Sequence, residues 1–291
     1  MKIAAFEPAI ADRSQLWPLG QDRMYCCDRG DAVEGGPPAL LLLHGLLVHH
    51  HEFARVIPEL ARDRRVLAPD LLGCGESDAP APEEAEGYAI EWHARALARL
   101  LDRLGIAEVD VMGHSYGAAV AICLAAREPA RVRRLALVDA VAFSLPLPIE
   151  GRLALLPGVG PALFKSVYRR ADLRRYFGRV FADEGLIDEA KIDLYWDRLS
   201  RPGAREAAYA MLTQLVDLGA LEGRIDQVEA PTAVIWGRED QVVPLDHGRR
   251  LADRIPGATL EVIDGSGHAP NEERPAALVA ALRRHFAGKL C

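Results

Sequence analysis

Residues 109–128 read VDVMGHSYGAAVAICLAARE, an apolar run, then a serine between two glycines, then small and apolar residues. The first run predicts a buried strand over residues 109–112, and the last a helix over residues 116–128 that Pro129 stops. Ser115 would then occupy a tight strand-to-helix turn that exposes its Oγ, with glycines leaving room for the neighbouring backbone. The helix start directs amide hydrogens at developing negative charge. The pattern predicts that Ser115 is a nucleophile.

A serine hydroxyl is a weak nucleophile and needs a general base. His268 follows a predicted strand at residues 259–263 and lies in the glycine-containing segment DGSGHAP, residues 264–270. A loop at this point sits at the carboxyl edge of a parallel sheet, the edge at which Ser115 is expected. Of the nine histidines, His268 is the only one so placed late in the chain. We therefore predict that it is the base.

The histidine in turn needs a carboxylate to orient it. Asp240 follows a predicted strand at residues 232–236 and precedes His268 by 28 residues, with one predicted helix between them, so the two loops should lie side by side. Asp139 is the rival, because it also ends a predicted strand and could reach the histidine from another direction. Two neighbouring carboxylates are weaker candidates: Glu239 and Asp264. We predict Asp240.

A tetrahedral intermediate also needs hydrogen-bond donors for its oxyanion. Position predicts two backbone amides for this role. One belongs to Tyr116, directly after the nucleophile, and the other to Leu46, in the loop after a predicted strand at residues 39–43. Backbone donors impose no side-chain pattern, so the assignment of Leu46 rests on position alone.

Elsewhere short apolar runs alternate with amphipathic segments, which predicts an α/β fold with a mostly parallel, doubly wound sheet. Strands are predicted at residues 25–28, 39–43, 65–69, 109–112, 134–138, 232–236 and 259–263, and helices at 88–105, 116–128, 246–254 and 275–286. The alternation disappears over residues 141–216, where five prolines accompany helical segments at 162–179 and 189–199. We predict a core of residues 1–140 and 217–291, with a helical cap of residues 141–216 inserted in it.

Further motifs join these residues in a fixed order. They are HG at residues 44–45, DLLGCGES at 70–77, GHSYG at 113–117, GRED at 237–240 and GH at 267–268. Together they resemble the signature of the α/β-hydrolase superfamily, whose serine turn and Ser, Asp, His chain order are characteristic. The resemblance spans about residues 38–287. It implies the α/β-hydrolase fold, with the insertion corresponding to the cap domain of that superfamily.

A serine nucleophile favours attack on a carbonyl and hydrolysis of an acyl-enzyme, with a small or medium carboxylic ester as the first expected substrate. The similar epoxide hydrolases and haloalkane dehalogenases use aspartate at this turn. A carbon–carbon bond hydrolase ranks second, because members of that group often have a tryptophan after the catalytic histidine, where this chain has Ala269. A cofactor-free perhydrolase would use the same triad. A non-catalytic relative would only bind a small molecule.

The predicted cap supplies apolar side chains for an acyl or alcohol pocket, so we expect a small-molecule substrate with an apolar part and a cap that sets specificity. The candidates are Leu153, Leu155, Leu156, Val159, Leu163, Phe164, Val167, Tyr168, Phe177, Val180 and Phe181, with Trp196 as a further one. Which of them face the pocket cannot be read from periodicity.

Composition argues against several other classes. The net charge is −7 with basic residues scattered, which argues against a nucleic-acid partner. No apolar run reaches the length of a signal peptide or a membrane span, so we expect a cytoplasmic protein without a membrane partner. The five cysteines lack disulfide or metal spacing. Three consecutive histidines, residues 49–51, lie near Glu52 and suggest a metal site, but consecutive side chains usually diverge. We instead expect a polar loop with one or two histidines at the mouth of the pocket, and predict no metal and no cofactor.

Overall fold

The computed structural model describes residues 11–33, 35–144 and 168–288. In these ranges the strands form one eight-stranded sheet. They are β1 (Gln15–Leu19), β2 (Asp22–Arg29), β3 (Leu40–Leu43), β4 (Val66–Pro69), β5 (Val109–His114), β6 (Val132–Val138), β7 (Thr232–Gly237) and β8 (Thr259–Ile263). The order across the sheet is β1-β2-β4-β3-β5-β6-β7-β8. Strand β2 runs antiparallel to both of its neighbours, and the remaining pairs are parallel.

The helices of the described residues lie between these strands and after them. They are α1 (Ile57–Leu60), α2 (Ile90–Arg103), α3 (Tyr116–Arg127), α4 (Arg170–Val180), α5 (Glu189–Leu199), α6 (Ala204–Gln214), α7 (Gly219–Ile225), α8 (Leu245–Arg254), α9 (Pro270–Glu273) and α10 (Pro275–Phe286). Short 3₁₀ helices occur at His50–Phe53, Glu86–Tyr88 and Glu184–Leu186. None of the helices in the described ranges is long and apolar enough to cross a membrane.

Helices cover both faces of the sheet. Successive side chains of a strand point to opposite faces, so each inner strand contributes to two apolar cores. In β3 all four leucines are buried. Leu41 and Leu43 join the apolar core under α2 and α3. Leu40 and Leu42 join the opposite core, to which α10 contributes. The predicted α/β architecture with a mostly parallel, doubly wound sheet is therefore confirmed.

The apolar pattern of the sequence does not predict β1, which lies at the edge of the sheet. Four of its five residues are not buried, so the apolar alternation that marks an inner strand is absent. Pro18 also lies within it, and proline is tolerated only where a ladder hydrogen bond can be lost, as on an edge strand. Gly20, with a φ of 94°, makes the turn into β2.

Between β6 and β7 the described chain contains α4 to α7. Apolar residues of α4 and α5 form a separate cluster with Val48 and Ala269, which belong to loops of the α/β unit. Leu221 and Ile225 of α7 instead pack in the core under α3. The assignment of residues 141–216 to a cap stays a prediction. Seven predicted pocket residues lie outside the described residues: Leu153, Leu155, Leu156, Val159, Leu163, Phe164 and Val167.

We expect Gly117→Ala to reduce the free energy of unfolding by about 1–3 kcal/mol, because an added Cβ would clash with the Leu43 carbonyl group. Gly223→Ala in α7 is the matched control. Nothing lies within 4 Å of a Cβ at Gly223, and alanine favours the helix by about 1 kcal/mol. Urea denaturation of both variants measures the difference. Equal stabilities would contradict a close approach of α3 to β3.

Candidate active site

Ser115 lies between β5 and α3 on a backbone turn that few side chains adopt. Its φ is 52° and its ψ is −116°, a non-glycine conformation that is typical of functional sites. A Cβ on Gly113 would lie 2.6 Å from Ala118 Cα and from the carbonyl oxygen of Gly117, so the turn needs a glycine there. The turn presents the serine at the carboxyl end of a central strand.

The structure brings the three residues predicted as a triad together. The Oγ of Ser115 lies 2.9 Å from Nε2 of His268. On the other side of the ring, Nδ1 lies 2.7 Å from Oδ2 of Asp240. An ionised carboxylate can only accept a hydrogen bond, so Nδ1 carries the proton and Nε2 is left to accept one from the serine hydroxyl.

Asp240 is held by its own loop. Its Oδ1 accepts hydrogen bonds from the backbone N–H groups of Val242, at 2.7 Å, and Val243, at 3.0 Å. Burial raises the pKa of this carboxyl, but the charge and hydrogen bond of His268, together with these amides, outweigh burial and lower it. The loop therefore keeps Asp240 ionised and oriented toward the histidine.

Asp139, the rival carboxylate, lies next to Asp240. Its Oδ1 accepts a hydrogen bond from the N–H of Gly237 at 2.8 Å. One oxygen of each carboxylate and one nitrogen of His268 lie within 4.8 Å of one another. Burial, followed by the charge of Asp240, raises the pKa of Asp139 well above its ordinary value. Since two carboxyl groups this close do not readily ionise together, Asp139 is the protonated member of the pair.

The two predicted oxyanion donors lie near the serine. Tyr116 is the first residue of α3, so its N–H has no acceptor within the helix. Leu46 lines the same pocket as Ser115. Within the described part of the chain, neither amide donates a backbone hydrogen bond. Their role as oxyanion donors stays a prediction.

The pocket at Ser115 is walled on one side by α4. Tyr176, Phe177 and Val180 of this helix line it, and two of them, Phe177 and Val180, are among the predicted cap residues. The other lining residues are Gly45, Leu46, Val48, Glu52, His114, Ser115, His268, Ala269 and Glu272. Trp196 is placed elsewhere: it packs against Tyr168 and under the guanidinium of Arg205.

Sequence reasoning missed a buried charged pair behind the serine, Glu52 and His114. The carboxylate of Glu52 lies 3.1–3.2 Å from Nδ1 of His114 and accepts the N–H of Gly45 at 3.1 Å. The other ring nitrogen donates to the carbonyl oxygen of His268 at 2.6 Å. Because both ring nitrogens face acceptors, the ring is an imidazolium that supports the backbone of His268. The one sequence signal was the position of His114, directly before the nucleophile.

This pair predicts a pH dependence of stability. Burial alone would lower the pKa of His114, but the charge and hydrogen bond of Glu52 raise it to about 9. A raised histidine pKa contributes stability that is fully present below about 6.5 and is lost as the pH rises through about 9. The wild type should lose up to about 3 kcal/mol between these values, whereas Glu52→Gln should show a flatter profile. Urea denaturation from pH 6 to 9.5 tests this, and parallel profiles would contradict it.

Comparisons with known proteins show the family to which this fold belongs. A family model described as alpha/beta hydrolase fold matches residues 38–275. The 2-hydroxymuconate semialdehyde hydrolase of Pseudomonas sp. strain CF600 is 36% identical over 246 residues, 82% of either chain. The 2-hydroxy-6-oxo-2,4-heptadienoate hydrolase of Pseudomonas putida strain F1 is 32% identical over 82% of this chain and 84% of its own.

A solved structure gives the same result for the fold. The 2-hydroxy-6-oxo-6-phenylhexa-2,4-dienoate hydrolase of Rhodococcus sp. strain RHA1 superposes with a TM-score of 0.81 at 26% identity, covering 96% of this chain and 99% of that one. The motifs, the sheet order and these matches lead to one conclusion. The chain belongs to the α/β-hydrolase family.

Proposed function

We propose that this protein is a serine-dependent hydrolase that cleaves a carbon–carbon bond next to the 6-oxo group of a 2-hydroxy-6-oxo-dienoate. The observation that carries the proposal is the identity of 36% and 32%, over about four fifths of the chain, to hydrolases named for such substrates. A carboxylic ester is the first substrate expected from the sequence, because acyl transfer is the natural reaction of Ser115, and the residue at 269 places a carbon–carbon bond hydrolase second. The relatives favour the opposite order.

Ala269 supports the ester less than its position suggested. It is buried in the apolar cluster that contains Phe177 and Phe181 of the segment following β6. Phe177 also lines the pocket with Ser115 and His268. We infer that an aromatic surface beside the histidine is supplied from α4 rather than by the residue that follows the histidine. The lack of a tryptophan at position 269 is therefore no argument against a conjugated substrate.

A dienoate carries a carboxylate, and a guanidinium lines the cavity next to the pocket at Ser115. This second cavity shares Val48 with that pocket and is lined by Arg198 of α5. The terminal nitrogens of Arg198 pair with Glu76 and Asp197, whereas its Nε is buried and has no hydrogen-bond partner among the described residues. We propose that this N–H receives the carboxylate end while the 6-oxo carbon lies at Ser115.

In the proposed reaction His268 first accepts a proton from Ser115 and later donates it to the leaving group. His268 takes the proton of Ser115 as Oγ attacks the carbonyl carbon, and the amides of Leu46 and Tyr116 stabilise the oxyanion. Carbon is a poor leaving group unless its electron pair is delocalised. In the 2-oxo tautomer of the substrate a carbon–carbon double bond links the departing carbon to the 2-oxo group, which takes up that pair as a dienolate. The imidazolium of His268 gives the proton to this leaving dienolate, and water then hydrolyses the acyl-enzyme to the acid and free Ser115.

The first test is a substrate panel with and without the nucleophile. We expect 2-hydroxy-6-oxohexa-2,4-dienoate, or its 6-methyl or 6-phenyl derivative, to be hydrolysed with a higher kcat/KM than p-nitrophenyl acetate or butyrate. Ser115→Ala should reduce kcat by roughly 10³–10⁶-fold. Loss of dienolate absorbance follows the reaction. A preference for the esters, lost in the same variant, would restore the ester assignment, and unchanged turnover in Ser115→Ala would overturn both.

The second test separates the two carboxylates. Asp240→Asn should lower kcat by about 10⁴-fold, because asparagine favours the wrong tautomer of His268. Asp139→Asn should cost no more than about tenfold, since an amide resembles the protonated acid that occupies this position. Single-turnover kinetics of the preferred substrate measure both. The opposite ranking would show that Asp139 orients the base.

A further inference from the structure

Three consecutive histidines, His49, His50 and His51, lie on the loop between β3 and α1. None of them lines the pocket at Ser115, but His49 lines the second cavity together with Arg198. One nitrogen of each ring lies within 4.8 Å of one nitrogen of each of the others. The ring centroids are 4.3–5.2 Å apart. The expectation that consecutive side chains diverge is wrong here. His49 is extended, with φ −154° and ψ −173°, and the 3₁₀ helix His50–Phe53 begins at the next residue, so the bend turns the three rings together.

The rings have nitrogen lone pairs to offer. His49 is only 2% exposed, yet in the described part of the chain neither of its ring nitrogens has a hydrogen-bond partner. The same holds for Nδ1 of His51. Leaving buried polar atoms unsatisfied is costly, so such a group calls for a ligand. Nδ1 of His50 lies 2.8 Å from Oδ1 of Asp70, which leaves Nε2 as its available nitrogen.

The nearby positive charges are already paired. Lys191 lies 2.7 Å from the carboxylate of Glu272, and Arg198 forms an ion pair with Glu76. Both cations lie near His51, but each is compensated by its carboxylate partner.

We propose that His49, His50 and His51 bind a divalent transition metal ion such as Zn²⁺, with Asp70 orienting His50 from behind. Imidazole nitrogen is a ligand for Zn²⁺, Co²⁺, Ni²⁺ and Cu²⁺ rather than for Mg²⁺ or Ca²⁺. A carboxylate on the far nitrogen of a ligating histidine is a common arrangement in such sites. Zn–N distances near 2.0–2.1 Å place ligating nitrogens about 3.4 Å apart, so nitrogens that lie up to 4.8 Å apart must approach by as much as about 1.4 Å. With three protein ligands, the fourth position remains for water.

The ion would act on the active site through one short helix. The 3₁₀ helix that begins at His50 also carries Glu52, which accepts the N–H of Gly45 and pairs with His114. Holding the three histidines would therefore restrain the loop that bears the Leu46 amide. The metal here positions the loop and takes no part in bond cleavage.

The experiment measures metal binding by the full-length, untagged protein. Isothermal titration with Zn²⁺ should give one site per chain with a matching rise in Tm, Co²⁺ should give the visible absorption of a low-coordinate nitrogen site, and Mg²⁺ should give neither. His49→Gln and His51→Gln should each weaken Zn²⁺ binding by about tenfold or more. His247→Gln, at a histidine on α8 remote in sequence from the cluster, is the matched control and should bind as the wild type does. His51 is partly exposed, so its variant keeps the test valid if His49→Gln does not fold.

Three outcomes would overturn the proposal. One is a wild type that binds Zn²⁺ no better than Mg²⁺. Another is Zn²⁺ binding that survives in His51→Gln but is lost in Asp139→Asn, which would place the ion at Asp139, Asp240 and His268, the other group whose ligand atoms converge. The last outcome combines two results: the wild type binds no metal, and His49→Gln raises KM for the dienoate. His49 would then contact the substrate rather than a metal ion.

Discussion

The strained turn at Ser115 is the constraint on which the rest of the site depends. With φ at 52° the chain reverses within one residue, and α3 begins directly above the end of β5. That reversal leaves no room for a Cβ at Gly113, which packs on Ala118, or at Gly117, which packs on the end of β3. The loop after β3 is thereby held against the serine. The positions of the nucleophile and of the predicted oxyanion donors thus follow from one backbone conformation.

Hydrogen bonds and neighbouring charges determine which of the buried groups around that turn are ionised. Asp139 and Asp240 end neighbouring parallel strands, so the sheet itself brings two carboxylates together. Their difference arises from their hydrogen bonds, since Asp240 receives two loop amides and the imidazole, and Asp139 a single amide. On the other side, Glu52 and His114 form a pair that is neutral overall and holds the carbonyl of His268. His268, the predicted base, is therefore positioned through its ring and through its backbone.

Much of this arrangement could be predicted from residue patterns. The strands leading to Ser115, Asp240 and His268 are buried runs, and the carboxyl ends of neighbouring parallel strands meet at one edge. The edge strand β1 could not be predicted, because an exposed strand does not need the alternation of apolar residues that marks a buried one. The pairing of Glu52 with His114 joins residues 62 apart that no local period connects. The convergence of the three histidines depends on a single bend at His49, and the class of bond that is cleaved depends on contacts that a triad does not encode.

The attachment of α4 has a consequence for how substrate reaches the serine. The N–H of His268 donates to the carbonyl oxygen of Val180, the last residue of α4, at 2.7 Å. Glu273 also accepts from the N–H groups of Gly267 and Ala182, binding the histidine loop to the chain beyond that helix. A movement of α4 away from the pocket would therefore pull on the loop that carries His268 and lengthen its contact with Ser115. A substrate that enters without moving α4 leaves that contact intact.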